Sequence, residues 1–591
     1  MRTFFSPAAY VGILAVVIVT AWLVLTGAQQ VRDPGDFARF SGMMFQLLAP
    51  LQLAVVLFLA GLAAAGAVAH EKDRKTLVLL MLTHMTNSEV VLGKLAASLI
   101  SLLLIVFLSL PLFFLTAAWG GVSFGQILRV GAITLATAIA AGSIGSTLAH
   151  WREKTFQALA TTVLALVAWV AIGEAIVLFA PGGQIGGLQS EAVAGTISPW
   201  QACQTAAAPD FPTTAIAADD AVGRMVAATG VSPVSVTWLY LGFATLITFA
   251  TNLPAVLRVR AWNTTRERRA LDRETLETTE AAKEETEATP QEIHAAEGGK
   301  VRSRRVWNNP ILWREIRTWA YGRRVLWVRV AYLLIVAALL VGLFQSADGR
   351  DGITAARATA TLVPLALLSL VLITAQSVTS LTSERDGKTL ELLLVTDLSA
   401  KEIVFGKLLG VAYNAKEMLL LPPLLAIYLA TTGPLRIENL VYLLITLGVL
   451  CLFVIVLGLH AGIRYARTQV AVATSLGTVF FLFVGVAVCM RMMVAFSGSF
   501  QAQLQPFLAL VIGGGLGLYV ALSAGRPSTA IGIASFLCPV ATFYALTSYL
   551  LGYTLTVALV TSATYGFTTT AMLVPALSEI NFATDRPVVE D

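Results

Sequence analysis

The chain has 591 residues, of which 57% are hydrophobic and only 13% are charged, with a formal net charge of +5. A soluble globular domain is typically about 25% charged, so this composition excludes an ordinary soluble enzyme and indicates a membrane protein. The basic residues lie in loops between apolar runs and not in one patch, which argues against nucleic acid as a partner.

Apolar runs long enough to cross a hydrocarbon layer of roughly 30 Å as helices recur along the whole chain. The first half is expected to span near residues 8–27, 43–68, 94–117, 127–149, 157–180 and 236–256. The second half is expected to span near residues 325–345, 358–382, 407–431, 438–462, 469–490 and 550–573. Residues 507–523 and 530–548 are apolar too, and form either two extra spans or a re-entrant hairpin.

An internal repeat relates the two halves. Residues 71–95 (EKDRKTLVLLMLTHMTNSEVVLGKL) and residues 384–408 (ERDGKTLELLLVTDLSAKEIVFGKL) align without a gap at a spacing of 313, with 13 of 25 positions identical. We call these segments the first hairpin and the second hairpin. The sequence therefore predicts an all-α polytopic membrane protein with two parallel six-span helical modules, which gives 12 spans, or 14 with the extra pair.

Charge predicts the orientation of these modules. The hairpins and residues 257–324, which carry fifteen Lys and Arg, fall on one side of the predicted topology, whereas residues 181–235 on the other side have one Arg against four acids. The positive-inside rule then makes the hairpins and both termini cytoplasmic. We divide the chain into a first module (1–256), a charged cytoplasmic connector (257–306) and a second module (307–591).

Each hairpin is expected to contain a helix, a break and a newly capped helix. Thr86-x-x-Glu89 and Ser399-x-x-Glu402 are capping boxes that precede an apolar run. One interpretation is a topogenic loop whose Lys and Arg only hold the orientation. That interpretation does not explain why acids and threonines recur as well, which favours a repeated surface for contact with a partner.

The hairpins resemble the cytoplasmic segment after the second span of ABC type-2 transporter permeases, through E-x-D-x-K-T-L-x-L-L followed by T and E-x-V-x-G-K-L. Asn309-Pro-Ile-Leu-Trp-Arg-Glu315 is similar to the interfacial elbow helix of that family, whereas the start of the chain offers only MRTFFSPAAY in the matching place. The resemblance implies two permease modules in tandem, coupled through these segments to a separate ATPase subunit.

The resemblance also implies site residues. The ATPase-coupling residues would be Glu71, Asp73, Lys75, Thr76, Glu89, Glu384, Asp386, Lys388, Thr389 and Glu402. The elbow residues would be Pro310, Trp313, Arg314 and Glu315. Trp and Arg just before a span favour an interfacial helix, and proline suits its first turn.

Three ionisable residues fall within predicted spans and are candidates for an intramembrane role: Glu174, Lys416 and Glu417. As neighbours along the chain, Lys416 and Glu417 do not face each other. The four cysteines show no metal-binding spacing, so no metal is expected.

The chain also lacks a phosphate-binding loop. Gly387-Lys388-Thr389 ends like a Walker A motif, but Thr382 stands where the first glycine is required. We therefore expect no enzymatic activity and no cofactor bound by this chain, with ATP and Mg bound by a partner ATPase in two copies.

Three functions remain open from the sequence. The first is a permease of an ATP-driven transporter, with export favoured by the resemblance. The second is an anchor that transmits force from an ATPase to an envelope apparatus. The third is a secondary transporter, which the parallel repeats and the sparse buried charges disfavour. The expected location is the bacterial cytoplasmic membrane, with lipid as the surrounding partner.

Overall fold

The computed structural model describes residues 34–74, 76–118, 120–152, 154–179, 184–185, 188–208, 233–287, 309–317, 325–347, 353–487, 490, 500–523, 528–550 and 553–583. The first predicted span (8–27), residues 288–306 of the connector, and Lys75 lie outside these residues.

The first half consists of helices and one short strand pair. The helices are α1 (Pro34–Asp73), α2 (Thr76–Met81), α3 (Asn87–Ala118), α4 (Phe124–Trp151), α5 (Thr155–Phe179), α6 (Ser190–Ile197), α7 (Pro199–Ala207) and α8 (Pro233–Glu287). Strands β1 (Gln184–Ile185) and β2 (Leu188–Gln189) pair antiparallel.

The described residues of the second half form helices joined by short turns. Its helices are α9 (Pro310–Arg317), α10 (Val325–Ala347), α11 (Ala355–Asp386), α12 (Thr389–Leu394), α13 (Ala400–Asn414), α14 (Lys416–Thr431), α15 (Ile437–Arg464), α16 (Thr468–Phe480, continued by a π-helical turn at Phe481–Gly485), α17 (Phe500–Leu522), α18 (Thr529–Leu550) and α19 (Thr554–Ala583).

Eleven helices within the described residues are long and apolar enough to cross a membrane. The prediction of an all-α polytopic membrane protein is confirmed at that level. Hydroxyl groups inside these helices donate to the carbonyl one turn earlier, as Thr134 does to Val130 and Thr374 does to Leu370. Such bonds satisfy polar side chains without an outside partner, which a lipid environment requires.

The internal repeat extends to the ends of the helices. Helices α2 and α12, and likewise α4 and α15, begin and end at equivalent positions of the repeat. The span of α3 is matched by α13 and α14 together, because the second copy is interrupted at Ala415. The single third span expected at 407–431 is thus two shorter helices.

The last long helix of each half departs from the spacing of the repeat. Helix α8 begins at Pro233, whereas α19 begins at Thr554, about two helical turns beyond the equivalent position. The predicted span at 550–573 is accordingly displaced toward the carboxyl terminus. The two inserted helices α17 and α18 have 23 and 22 residues, and α18 packs on α19.

One apolar core lies within the first half, the core of the second half also takes in Phe156, Ala160, Val163 and Leu164 of α5, and a third cluster joins the halves. The joining cluster is formed largely by alanine and valine of α1, α5, α11 and α16, including Ala158 and its repeat counterpart Ala471. Small side chains let helices approach closely, so this cluster holds the two halves together along their inner helices.

Close helix contact in the first half depends on glycine. A Cβ atom at Gly145 of α4 would lie 2.2 Å from the carbonyl oxygen of Gly61 in α1. Because that neighbour is backbone, the two helices would have to separate to accept any side chain.

We predict that Gly145→Ala lowers the free energy of unfolding by about 1–3 kcal/mol, because it overpacks the contact between α1 and α4. The matched control is Gly242→Ala in α8, where a Cβ meets nothing within 4 Å and where alanine should be neutral or slightly stabilising. Unfolding of the purified variants in denaturant measures both, and equal stability of the two would contradict the contact.

Candidate functional site

Both hairpins have the local structure that the sequence predicts. After α1 and α11 end, Thr76 and Thr389 donate to the carbonyl oxygens of Glu71 and Glu384, at 3.3 and 3.0 Å. The short helices α2 and α12 follow, and two residues after each helix ends stands a threonine (Thr83 and Thr396) whose hydroxyl donates to the carbonyl three residues earlier, at 2.6 Å in both copies.

The capping boxes of the second helices are present in both hairpins. The backbone N–H of Thr86 donates to the Glu89 carboxylate at 2.7 Å, and that of Ser399 donates to Glu402 at 2.8 Å. Glu89 and Glu402 therefore lie in the first turns of α3 and α13 and stabilise the starts of these helices. Lys388 is exposed and stands in the left-handed region with φ of 56°, immediately before α12.

Four of the six predicted coupling acids, those at the bases of the hairpins, point inward and not toward solvent. Glu71 forms an ion pair with Lys94, and Glu384 forms one with Lys407 at 2.7 Å, which is the equivalent pair of the second copy. These residues tie the start of each hairpin to the helix that follows it.

The two aspartates, Asp73 and Asp386, are also bonded to other helices of the protein. Asp73 accepts a hydrogen bond from Thr155, and Asp386 accepts one from Thr468 at 2.5 Å. Each bond fastens a hairpin to the start of α5 or α16. Repetition of these acids is thus explained by bracing inside each half.

A cation completes the bracing in both copies. Lys72 donates to the carbonyl of Arg152 at 3.0 Å, and Arg385 donates to the carbonyl of Gly462 at 2.8 Å. These acceptors lie at or near the carboxyl ends of α4 and α15, where helix carbonyls lack intrahelical partners and attract positive charge. Each hairpin is therefore held at three points, on three different helices.

The exposed surface of each hairpin, where the acids were expected to contact a partner, carries apolar side chains instead. Leu79 and Leu82 are 65% and 77% exposed, and their repeat counterparts Leu392 and Val395 are 71% and 85% exposed. We call these two pairs the apolar tips. The sequence interpretation missed them, because they lie within a run of leucines in which periodicity does not separate a buried face from an exposed one.

A helix forms where the elbow was predicted, and this helix, α9, which we call the elbow helix, rests on α13. Asn309 accepts from the N–H of Leu312 at 3.0 Å and caps the helix, with Pro310 as its first residue. A Cβ at Gly406 would lie 3.0 Å from Ile311, and one at Gly410 would lie 2.7 Å from Glu315. The absence of side chains at both glycines lets α9 lie directly against α13.

A buried charge cluster fixes this contact. Lys407 and Glu315 are each 2% exposed and lie 2.5 Å apart, and Lys407 also pairs with Glu384. Arg314 pairs with Glu384 on the half-exposed side of the cluster. The sequence interpretation assigned Glu315 to the elbow and Glu384 to the coupling residues, whereas in the structure both carboxylates pair with Lys407. Trp313, the remaining predicted elbow residue, is half-buried beside them.

The predicted intramembrane charges have separate environments. Glu174 is exposed and accepts a hydrogen bond from Gln201 of α7 at 2.8 Å. Glu417 pairs with Arg329 of α10 at 3.3 Å, while Lys416 lies over the ring of Tyr413 at 4.9 Å.

Arg329 lies at the break between α13 and α14 and bonds to residues on both sides of it. Arg329 also donates to the carbonyl of Asn414, the last residue of α13, at 3.1 Å. One guanidinium therefore bridges the end of one helix and the first turn of the next. The sequence interpretation missed Arg329, because its partners lie 85 or more residues away.

The bases of the two hairpins meet across the halves. His70 of α1 lies 2.9 Å from Asp386, and Arg74 lies 3.7 Å from the same carboxylate. Asp386 thus belongs at once to the bracing of the second hairpin and to the contact between halves.

Comparison of the chain with models of protein families, with curated proteins and with solved structures found no match. Within the described residues, no group of three or more His, Cys, Asp and Glu is placed to hold a metal ion. The arrangement of the hairpins offers surfaces for contact and a braced frame behind them.

We predict that Lys407→Met lowers the free energy of unfolding by about 3–5 kcal/mol, because it removes the buried cation between Glu315 and Glu384 and leaves only the half-exposed Arg314 to pair with them. The matched change Lys94→Met removes a pair that is more exposed, and should cost about 0–1 kcal/mol. Denaturant unfolding of both variants provides the measurement. A cost for Lys94→Met equal to that for Lys407→Met would contradict the importance of the buried cluster.

Proposed function

We propose that this chain is the membrane-spanning permease of an ATP-driven transporter of the ABC type-2 kind, coupled to a separate ATPase subunit. The observation that supports the proposal most is the pair of apolar tips, carried at equivalent positions of the repeat on hairpins of the same construction. Export is the direction favoured by the family resemblance.

The chemistry of the tips suits a protein partner. Exposed leucine and valine side chains on a polar surface are typical of interaction sites, because their burial releases water. Two equivalent tips fit two copies of one partner related by an approximate twofold axis. Thr76, Lys388 and Thr389 are exposed next to the tips and would form the polar rim of the contact.

The braced frame would carry movement from the partner into the membrane. Each hairpin is bonded to the helix that follows it, to the end of α4 or α15, and to the start of α5 or α16. A hairpin displaced by a partner therefore pulls on several helices together. Transport then requires two arrangements of these helices that bind the ATP-loaded partner with different affinity.

The proposed topology has two modules of six spans in tandem, with α17 and α18 as an additional pair. Helix α18 is a candidate span, and α17, of 23 residues, is about 35 Å long at 1.5 Å per residue with an apolar part at Val511–Leu522, so the pair would form two spans or a re-entrant hairpin. The hairpins and both termini would be cytoplasmic, and the membrane would be the bacterial cytoplasmic membrane. ATP and Mg would be bound by the partner alone.

We predict that the double variant Leu82→Ala and Val395→Ala loses at least about 10-fold in affinity for the partner ATPase, since buried leucine-sized side chains contribute about 1.5–3 kcal/mol each. Co-purification from the native membrane and stimulation of ATP hydrolysis measure this effect. The control is Leu246→Ala, a 63% exposed leucine within a candidate span of α8, which should leave association unchanged.

Association that is undiminished in the double variant would exclude the tips as the docking surface. A flux measurement in reconstituted vesicles that contain both subunits separates transport from force transmission. Stimulated hydrolysis without any movement of solute would favour the force-transmitting anchor.

A further inference from the structure

The two hairpins are supported from behind by different parts of the chain. The second hairpin rests on the elbow helix α9 through the buried charge cluster around Lys407. The first hairpin rests instead on the inner end of α8, where that helix leads into the connector. We call residues 254–262 the connector root.

Hydrogen bonds join the connector root to the start of α3. Arg260 donates through Nε to the side chain of Asn87 and through a terminal nitrogen to the carbonyl of Met85, both at 2.8 Å. Asn87 in turn donates to the carbonyl of Val256 at 2.9 Å. A single arginine thus spans the last residues of the break and the first residue of the capped helix.

An apolar cluster lies beside these bonds. Leu77 and Met81 of α2 and Val91 of α3 pack against Ala255 and Val259 of the root. The repeat counterpart of Asn87 is the buried, apolar Ala400. Among the described residues, the polar clamp therefore belongs to the first hairpin alone.

A proline separates the root from the rest of its helix. Pro254 lies inside α8 and cannot donate a backbone hydrogen bond, which favours a bend at this point. Pro575 occupies the same place in α19, and Leu577 and Ile580 beyond it pack on the second hairpin. Helix α19, however, ends at Ala583, whereas α8 continues to Glu287 in the connector.

We propose that Arg260 is a positioning residue that fixes the first hairpin to the connector root, so that the connector controls the first apolar tip independently of the second. Its consequence for the partner rests on the function proposed above. The physical attachment does not, because it is a property of this chain by itself.

Hydrogen–deuterium exchange of the full-length protein in lipid nanodiscs, without any partner, tests the attachment. Loss of two hydrogen bonds in Arg260→Ala should speed amide exchange in residues 76–92 by about 10-fold. The repeat provides an internal control, since residues 389–405 should exchange as in the wild type. Arg258→Ala, an exposed arginine on the same helix outside the clamp, should change neither hairpin.

Two further variants separate the contributions of the individual hydrogen bonds. Arg260→Lys keeps the charge but replaces the two donor nitrogens of the guanidinium with one, and should give an intermediate rate. Asn87→Ala installs the residue of the second copy and should speed exchange about as much as Arg260→Ala, because each variant loses two of the three hydrogen bonds. Unchanged exchange in Arg260→Ala, or equal loosening of both hairpins, would overturn the inference.

Cross-linking to the proposed partner supplies a second readout. In a Leu82→Cys background, Arg260→Ala should reduce cross-links to the ATPase several-fold, while a Val395→Cys background should show no reduction. Equal reduction at both sites would contradict independent control. If neither cysteine forms cross-links in any background, the proposed function fails, whereas the exchange result still decides the attachment.

Discussion

The buried pairing of Lys407 with Glu315 and Glu384 is the interaction on which the rest of the structure depends most, and Glu71 with Lys94 is its more exposed counterpart. A carboxylate at the inner end of a long apolar helix is costly to leave unpaired, because little water is available to solvate it. The first half meets this requirement with Glu71 and Lys94, and the second half meets it with Glu384 and Lys407. Since each acid lies at the base of its hairpin, the pairing sets where the hairpin leaves the membrane helices.

The same bond network gives the apolar tips their position. A short helix of six residues has little stability by itself, so α2 and α12 depend on their attachments. With the acids directed inward, the leucine and valine side chains remain on the outer surface. In each hairpin, the need to pair the buried acids therefore leaves an apolar surface exposed on the outside.

The two hairpins have the same local structure, but different helices pack behind them. The elbow helix and a nearly inaccessible Lys407 hold the second hairpin, whereas hydrogen bonds from the exposed Arg260 hold the first. Exposed bonds open at a lower free-energy cost than buried charge networks. The first hairpin is accordingly the more adjustable of the two, and it is the one joined to the connector.

The helices and the capping boxes were predictable from the sequence, because hydrophobic run length and cap residues are local signals. The roles of the acids were not, since Glu71 and Asp73 find their partners 23 and 82 residues away. Recurrence in both copies suggested a surface, although recurrence follows equally from two copies folding alike. The break at Ala415 also escaped prediction, because a distant arginine stabilises it.

The most direct measurement is an electron-microscopy map of the full chain isolated from its native membrane together with whatever binds it. The account predicts two copies of one nucleotide-binding subunit, one under each hairpin, with Leu82 and Val395 covered by protein. A map with the hairpins on the face opposite such a subunit, or with both tips bare while the subunit binds elsewhere, would contradict it.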